Sequence, residues 1–238
     1  MTGVDARPVL VGLPGTLCGP EVFAALATGL AGEVDVRAVD WMTAPGPWDL
    51  PAVADRVAGQ LGGTGPVLLA GHSTGGAIAL ALTAAHPELV AGLLLVGTGA
   101  QSSGHGDMDA IIERVATGWG PQLRAAVLDR SFAGPLEPAL RARLLAWSAT
   151  VPQEAVLQAL RSQRSLDLRP VLGSIGCPVT VVHGVHDRAR TAGHAHELVT
   201  GVPGARLVTA QTGHTAVHEA PELVAGLVRE LAAAAAAG

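Results

Sequence analysis

The chain has 238 residues, of which 49% are hydrophobic, 15% charged and 3% aromatic, and its formal net charge is −5. This apolar content with a small net charge excludes intrinsic disorder, and the length suits one domain or a core domain with one large insertion. All 15 basic residues are arginine, so sites that require lysine, such as a P-loop or a Schiff base, are excluded. The mild acidity and scattered arginines argue against a nucleic-acid partner.

No run of about 18 or more uninterrupted apolar residues predicts a membrane span. The start, MTGVDARPVLVG, lacks the charged, apolar and small regions of a signal peptide. Cys18 and Cys177 are the only cysteines; a disulfide between them is open, but two reduced thiols are favoured, and without a Cys-x-x-Cys motif a cysteine zinc site is excluded. We therefore expect a cytoplasmic protein with no membrane partner.

Five short apolar runs, bounded by Gly, Pro or polar residues, predict β-strands buried on both faces of a parallel sheet, and an alternating segment at residues 33–39 predicts a sixth strand. Stretches with helical periodicity lie between them and after the last one. This alternation predicts an α/β fold with a doubly wound, mostly parallel sheet of about six strands. The predicted strands span residues 7–13, 33–39, 66–70, 91–96, 178–182 and 205–208, and the helices residues 21–30, 50–61, 76–85, 193–200 and 221–231.

One segment interrupts this alternation. Residues 98–176 contain no convincing strand and are too many for a loop inside a compact domain. We expect them to form a helical lid inserted into a core made of residues 1–97 and 177–238. Helical patterns in the segment cover residues 109–116, 121–128, 138–148 and 154–163.

The strongest local motif is Gly-His-Ser-Thr-Gly-Gly at residues 71–76, between an apolar strand and an apolar helix. A G-x-S-x-G sequence at such a turn holds its serine in a strained conformation, with the hydroxyl exposed above the sheet. Ser73 is therefore the candidate nucleophile. A plain glycine-rich turn is the alternative interpretation.

A serine nucleophile needs a base and a group that orients the base. Asp187 follows the predicted strand 178–182, and His214 follows the strand 205–208. The carboxyl ends of parallel strands meet at one edge of a sheet, so both side chains are expected near Ser73. The order Ser, Asp, His along the chain is the one expected when such a triad is built on this kind of sheet.

These segments resemble the α/β-hydrolase superfamily, in its branch of small lidded bacterial serine hydrolases that includes esterases and thioesterases. The resemblance covers nearly the whole chain and is carried by VLVGLPGTLCG, LLAGHSTGG, CPVTVVHGVHDR and QTGHTAVHEAPE. It implies that Ser73 is the nucleophile, Asp187 the acid and His214 the base. The first strand matches the family's third, so the usual N-terminal hairpin is expected to be absent.

The resemblance also locates the oxyanion hole. It assigns the backbone N–H groups of Thr16 and Thr74 to this hole, and Leu17 is the other candidate donor. Relatives often carry His-Gly in this loop, where the chain has Pro14-Gly15. Any role of that histidine in ordering the loop is lost with it.

Several alternative residues compete for these roles. His218 competes with His214, but His214 follows a glycine directly after the strand and is preferred; Asp107 or Asp109 at the start of the insertion could replace Asp187. The pairs His183 with His186 and His194 with His196 do not match a zinc-protease motif, so we predict no metal. The large side chains are expected either to pack in the core or to line a substrate pocket. The pocket candidates are His72, Trp41, Trp119 and Trp147. The remaining large side chains are Trp48, Met108 and Phe132.

The leading hypothesis is a cofactor-free serine hydrolase that cleaves a small-molecule ester or thioester, which is free or bound to a carrier. A second hypothesis keeps the fold but changes the chemistry to that of a perhydrolase resembling cofactor-free haloperoxidases, a lyase or a biosynthetic cyclase. A third is a non-catalytic ligand-binding relative. The sequence leaves the substrate and the oligomeric state open.

Overall fold

A single six-stranded sheet, in which every neighbouring pair of strands is parallel, forms the centre of the computed structural model, which describes residues 7–237. The spatial order of the strands is β2-β1-β3-β4-β5-β6. This confirms the predicted doubly wound α/β sheet, and each predicted strand is present. The strands are β1 (Val9–Leu13), β2 (Asp35–Ala38), β3 (Val67–His72), β4 (Val90–Val96), β5 (Val179–Gly184) and β6 (Arg206–Ala210).

Helices connect the strands and cover the two faces of the sheet. Short 3-10 turns at Pro20–Phe23, Pro87–Leu89 and Arg169–Ser174 precede α1, β4 and β5. The helices are α1 (Ala24–Gly29), α2 (Leu50–Leu61), α3 (Thr74–Ala85), α4 (Met108–Gly118), α5 (Pro121–Arg130), α6 (Pro138–Thr150), α7 (Gln153–Ser165), α8 (Ala192–Gly201), α9 (Ala216–Glu219) and α10 (Pro221–Ala237).

The sheet divides the hydrophobic core into two layers, because successive strand residues point to opposite faces. In β4, Leu93 and Leu95 face one layer, which includes buried residues of α2, α3, α7 and α8. Leu94 and Val96 face the other, which includes residues of α1, α9 and α10. The continuous apolar runs in the sequence are thus explained by burial on both sides.

The segment between β4 and β5 carries α4 to α7 and, within the described residues, no strand. Its helix α7 packs against α4, α2 and α3, and Ala155, Val156 and Ala159 join the same core layer as α2 and α3. The insertion therefore shares the core of the sheet instead of forming a separate one. Its assignment as a lid with boundaries at residues 98 and 176 stays a prediction.

Two further features bear on the sequence predictions. Cys18 and Cys177 are both free thiols, and burial raises the pKa of Cys18 to about 12. Among the helices of residues 7–237, none combines the length and apolar character needed to cross a membrane.

Candidate active site

Ser73 lies at a sharp turn between β3 and α3, with φ 54° and ψ −120°. Residues other than glycine rarely adopt a positive φ, and such a conformation is kept only where its surroundings fix it. Here the Ser73 N–H donates to the Val96 carbonyl at 2.9 Å, and the Ser73 carbonyl accepts from Thr98 Oγ1 at 2.7 Å. The half-buried serine thus has the strained, well-supported backbone that the motif predicted.

The two glycines of the motif are required by close backbone contacts. A Cβ atom at Gly75 would lie 2.0 Å from the Leu13 carbonyl oxygen, and one at Gly71 would lie 2.5 Å from the Cα of Gly76. Any side chain at either position would force the strand and helix apart. The turn can therefore hold Ser73 tightly against the end of β1 only with glycine at both sites.

His214 and Asp187 form a buried hydrogen-bonded pair. His214 Nδ1 lies 2.7 Å from Asp187 Oδ2, and the two side chains are 4% and 0% exposed. Asp187 Oδ1 accepts from the backbone N–H groups of Ala189 at 2.7 Å and Arg190 at 2.8 Å. Burial raises the pKa of Asp187, but the hydrogen bonds from His214 and from these N–H groups outweigh it, so the pKa lies below its ordinary value.

This pair lies at the same edge of the sheet as Ser73. Asp187 follows β5 and His214 follows β6, as Ser73 follows β3. The imidazole rings of His214 and of His72, the neighbour of Ser73, have centroids 4.9 Å apart. A Cβ atom at Gly97, next to the Val96 carbonyl that holds Ser73, would lie 2.9 Å from His214 Nδ1. The structure thus brings together the three residues predicted as nucleophile, acid and base.

The loop after β1 passes directly beside Ser73. The Trp41 indole N–H donates to the Pro14 carbonyl at 2.9 Å, and the Gly15 N–H donates to His72 Nδ1 at 3.3 Å. A Cβ atom at Gly15 would lie 2.8 Å from the Cβ of Ser73. The loop is therefore fixed from both sides and contacts the serine closely.

Thr16 and Thr74, the two predicted oxyanion-hole residues, contact each other through their side chains. Their hydroxyl oxygens lie 2.9 Å apart, and Thr74 Oγ1 donates to Gln163 Oε1 at 3.3 Å. Thr74 begins α3, where backbone N–H groups have no partner within the helix. Gln163, on α7, is a site residue that the sequence did not indicate.

Leu17 does not match its prediction as an alternative oxyanion donor. Its N–H donates to the thioether sulfur of Met42 at 3.4 Å, and its side chain is buried. Leu17 also has a positive φ of 61°. Because its N–H binds the Met42 sulfur, this donor is already used within the protein.

The four pocket candidates fall into two groups. His72 and Trp41 are 0% and 1% exposed. Both hydrogen-bond to the loop after β1, and their role as pocket residues stays a prediction. Trp119 and Trp147 are half-buried on the insertion. The Arg124 guanidinium lies 5.4 Å from the Trp119 ring centroid, and the Trp147 indole N–H donates to Asp40 Oδ2 at 2.9 Å.

His72 is neutral in this environment. Burial, and to a lesser extent the charge of the nearby His214, lowers its pKa to about 3. Its Nδ1 accepts the Gly15 N–H, so the proton of the neutral ring is on Nε2. A neutral ring beside His214 adds no second positive charge when His214 takes up a proton.

The alternative residues have other partners. His218 packs edge-on against Phe132, whereas His214 binds Asp187. Asp107 caps α4, and Asp109 forms an ion pair with Arg164. His194 is buried, and its Nδ1 accepts the backbone N–H of Thr191 at 3.2 Å at the start of α8. Among residues 7–237, no three His, Cys, Asp or Glu side chains are arranged to hold a metal ion.

The chain is similar to proteins of one known family. A model of the alpha/beta hydrolase family matches residues 9–227. The pimeloyl-[acyl-carrier protein] methyl ester esterase of Aromatoleum aromaticum is 28% identical over 249 residues, covering 94% of this chain and 98% of its own. Its counterpart from Nitrosomonas europaea is 29% identical over 192 residues, covering 71% and 70%.

A solved structure shares the fold at lower sequence identity. The enol-lactonase of Burkholderia xenovorans LB400 superposes with a TM-score of 0.85 at 23% identity, over 98% of this chain and 94% of its own. The family model covers all six strands and the loops that carry Ser73, Asp187 and His214. The chain therefore belongs to the alpha/beta hydrolase family.

Proposed function

We propose that this protein hydrolyses a small-molecule carboxylic ester or thioester through a covalent acyl-enzyme on Ser73. The observation that carries the proposal is the buried hydrogen bond between His214 and Asp187 beside a serine held at positive φ. An aspartate bound to Nδ1 keeps the other ring nitrogen, Nε2, free to accept a proton. This is the arrangement needed to activate a serine hydroxyl.

In this mechanism the Ser73 hydroxyl attacks the acyl carbon while His214 Nε2 accepts its proton. Asp187 orients the imidazole and stabilises the imidazolium that forms. The backbone N–H groups of Thr16 and Thr74 bind the oxyanion of the tetrahedral intermediate. His214 then returns the proton to the leaving alcohol or thiol, and the same residues activate water to release the acid from Ser73.

The relatives support an ester as the bond that is cleaved. Two of them are named as methyl ester esterases of an acyl group on a carrier protein. We include acyl groups bound to a carrier among the candidate substrates for this reason. The chemistry at Ser73 is the same for a free and a carrier-bound acyl group.

The test combines labelling and turnover. A fluorophosphonate probe should label the wild-type protein at Ser73 and leave Ser73→Ala unlabelled. Wild type should hydrolyse members of a series of p-nitrophenyl esters of increasing chain length, and Ser73→Ala should lose roughly 10⁶-fold in rate. Absence of both labelling and hydrolysis in correctly folded wild type would leave a non-catalytic ligand-binding role. Residual activity of Ser73→Ala within about tenfold of wild type would remove this serine from the mechanism.

A further inference from the structure

We infer that Gln163 is a positioning residue of the oxyanion hole, acting through the hydroxyl groups of Thr74 and Thr16. The inference rests on the proposed function, in which the backbone N–H groups of these two threonines bind the oxyanion. It adds a residue of the helical insertion to the machinery. Gln163 contacts Thr74 across 89 positions of the chain.

The direction of the hydrogen bonds is determined by the available protons. A threonine hydroxyl has one proton to donate and two lone pairs to accept with. Thr74 donates its proton to Gln163 Oε1 at 3.3 Å. The contact of 2.9 Å between the two hydroxyl oxygens must therefore be a bond from Thr16 to Thr74. The chain of donors runs from Thr16 through Thr74 to the amide oxygen of Gln163.

Burial gives this short network its strength. Thr74 and Gln163 are 3% and 5% exposed. Hydrogen bonds away from water are electrostatically stronger, and connected bonds polarise one another. Helix α7, which carries Gln163, also packs against α3, which begins with Thr74. The amide oxygen is thus held in place by the packing of two helices.

Thr16 lies between two anchored residues of its loop, and its side chain positions its own N–H group. On one side, the Gly15 N–H is bound to His72, and on the other the Leu17 N–H is bound to the sulfur of Met42. Between them, the Thr16 N–H makes no hydrogen bond within residues 7–237. The side-chain bond of Thr16 fixes this free N–H relative to Thr74, the other oxyanion donor. An oxyanion site depends on donors that are placed before the charge develops.

The test compares two glutamines of the same helix. Gln163→Leu removes the acceptor of the network. Gln158→Leu is the matched control, because Gln158 also lies on α7 and also accepts a hydrogen bond from a distant segment, the backbone N–H of Trp48 at 3.0 Å, but makes no hydrogen bond to either threonine. We expect Gln163→Leu to lower kcat by about 10- to 100-fold with little change in KM, less than the roughly 10²- to 10³-fold cost of deleting an oxyanion donor.

A second readout separates positioning from loss of structure. A boronic acid that forms a tetrahedral adduct with Ser73 should bind the Gln163→Leu variant more weakly than wild type, by a factor similar to the loss of kcat. Thr16→Val should show the same pattern, and Thr16→Ser, which keeps the hydroxyl, should restore most of the wild-type kcat. If Gln163→Leu fails to fold, the comparison of Thr16→Val with Thr16→Ser still decides the test.

Each outcome decides the inference. Equal losses of kcat in Gln163→Leu and Gln158→Leu would show that only the docking of α7 matters and would overturn it. An unchanged kcat in Thr16→Val would also overturn it, while the proposed function would stand because wild type still turns over ester. If wild type itself neither hydrolyses esters nor reacts with the fluorophosphonate, the proposed function fails, and this inference fails with it.

Discussion

The imidazole of His72 accepts a hydrogen bond from the backbone N–H of Gly15, joining the end of β3 to the loop after β1 at 3.3 Å. Relatives often place a histidine within that loop, where this chain has Pro14. Here His72 contacts the loop from the neighbouring strand β3. Thr74 binds the same loop through Thr16, so both neighbours of Ser73 hold it. The loss of loop ordering that is expected with Pro14 is thus offset by contacts that His72 and Thr74 make from outside the loop.

His72 should make the folded state sensitive to acid. Its pKa is lowered by burial to about 3, whereas an unfolded histidine titrates near ~6.5. Between these values the unfolded chain binds more protons, so the free energy of unfolding decreases as the pH falls through this window. The stability that neutral His72 contributes is fully present above the pKa of an unfolded histidine. Below that pKa, the free energy of unfolding decreases by up to ~1.4 kcal/mol per pH unit.

The measurement is urea unfolding of wild type and His72→Asn between about pH 4.5 and 7.5. Asparagine can accept the Gly15 N–H through its side-chain oxygen but does not titrate. The free energy of unfolding of the variant should depend less steeply on pH than that of wild type, by the equivalent of up to one bound proton. The pH dependence that remains comes from other groups such as His105, whose pKa burial lowers to about 4. Identical slopes would show that His72 is not neutral in the folded protein.

The backbone at Ser73 should carry measurable strain. A conformation at φ 54° is relieved by glycine but not by alanine. Strain of roughly 1–3 kcal/mol outweighs the roughly 0.5–1 kcal/mol entropic cost of glycine, so Ser73→Gly should be about 1 kcal/mol more stable than Ser73→Ala. In a chain of this size that difference raises the Tm by roughly 2–4 °C. If calorimetry gives Ser73→Ala a higher Tm than Ser73→Gly, the prediction of backbone strain at Ser73 is wrong.

Asp187 should be required for turnover, and its effect should be specific. Asp187→Asn keeps the shape of the side chain but favours the wrong tautomer of His214, and we expect kcat to fall by roughly 10⁴-fold. The control is Asp107→Asn, because Asp107 caps α4 by accepting the Ala110 N–H at 3.0 Å, and asparagine caps helices equally well. Steady-state kinetics should find this control close to wild type. The opposite ranking would locate the acid in the insertion.

Activity should fall as the pH is lowered, because the enzyme takes up a single proton. The hydrogen bonds described above keep the pKa of Asp187 below its ordinary value, and that of His72 is about 3, so neither group titrates near neutral pH. The remaining group of the mechanism is His214, which accepts the serine proton only when it is neutral. A pH-stat measurement of kcat/KM should therefore give an acid limb of slope one. A profile that is flat from about pH 5 to 8 would exclude a histidine base.

The sheet and the polar residues at its edge were accessible from the sequence because their signals are local. Most strands are short apolar runs, whereas β2 alternates between apolar and polar residues, and Ser73, Asp187 and His214 each follow a strand. The boundaries differ where pairing extends a strand: β3 continues to His72, which pairs with Val96, although the apolar run ends at Ala70. Similarly, the single helix predicted for residues 21–30 is a 3-10 turn followed by the short α1.

The contacts that complete the site were not accessible, because they join distant segments. Nothing in the sequence around Gln163 distinguishes it from a surface glutamine of an amphipathic helix. Its burial follows from the docking of α7 against α3. The hydrogen bond from the Leu17 N–H to the Met42 sulfur likewise joins residues 25 positions apart, and no local pattern indicates it. Local patterns therefore predict the reacting groups, and tertiary packing determines how they are held.

The strand order has a consequence for synthesis on the ribosome. When residues 1–176 have emerged, β2, β1, β3 and β4 are all available, but the outer edge of β4 lacks its partner β5. An unpaired, apolar strand edge invites association with other chains. The nascent chain must bridge the whole helical insertion before that edge is covered. Asp187 and His214 emerge only afterwards, so the growing polypeptide carries the proposed nucleophile for most of its synthesis without the acid or base that would make it reactive.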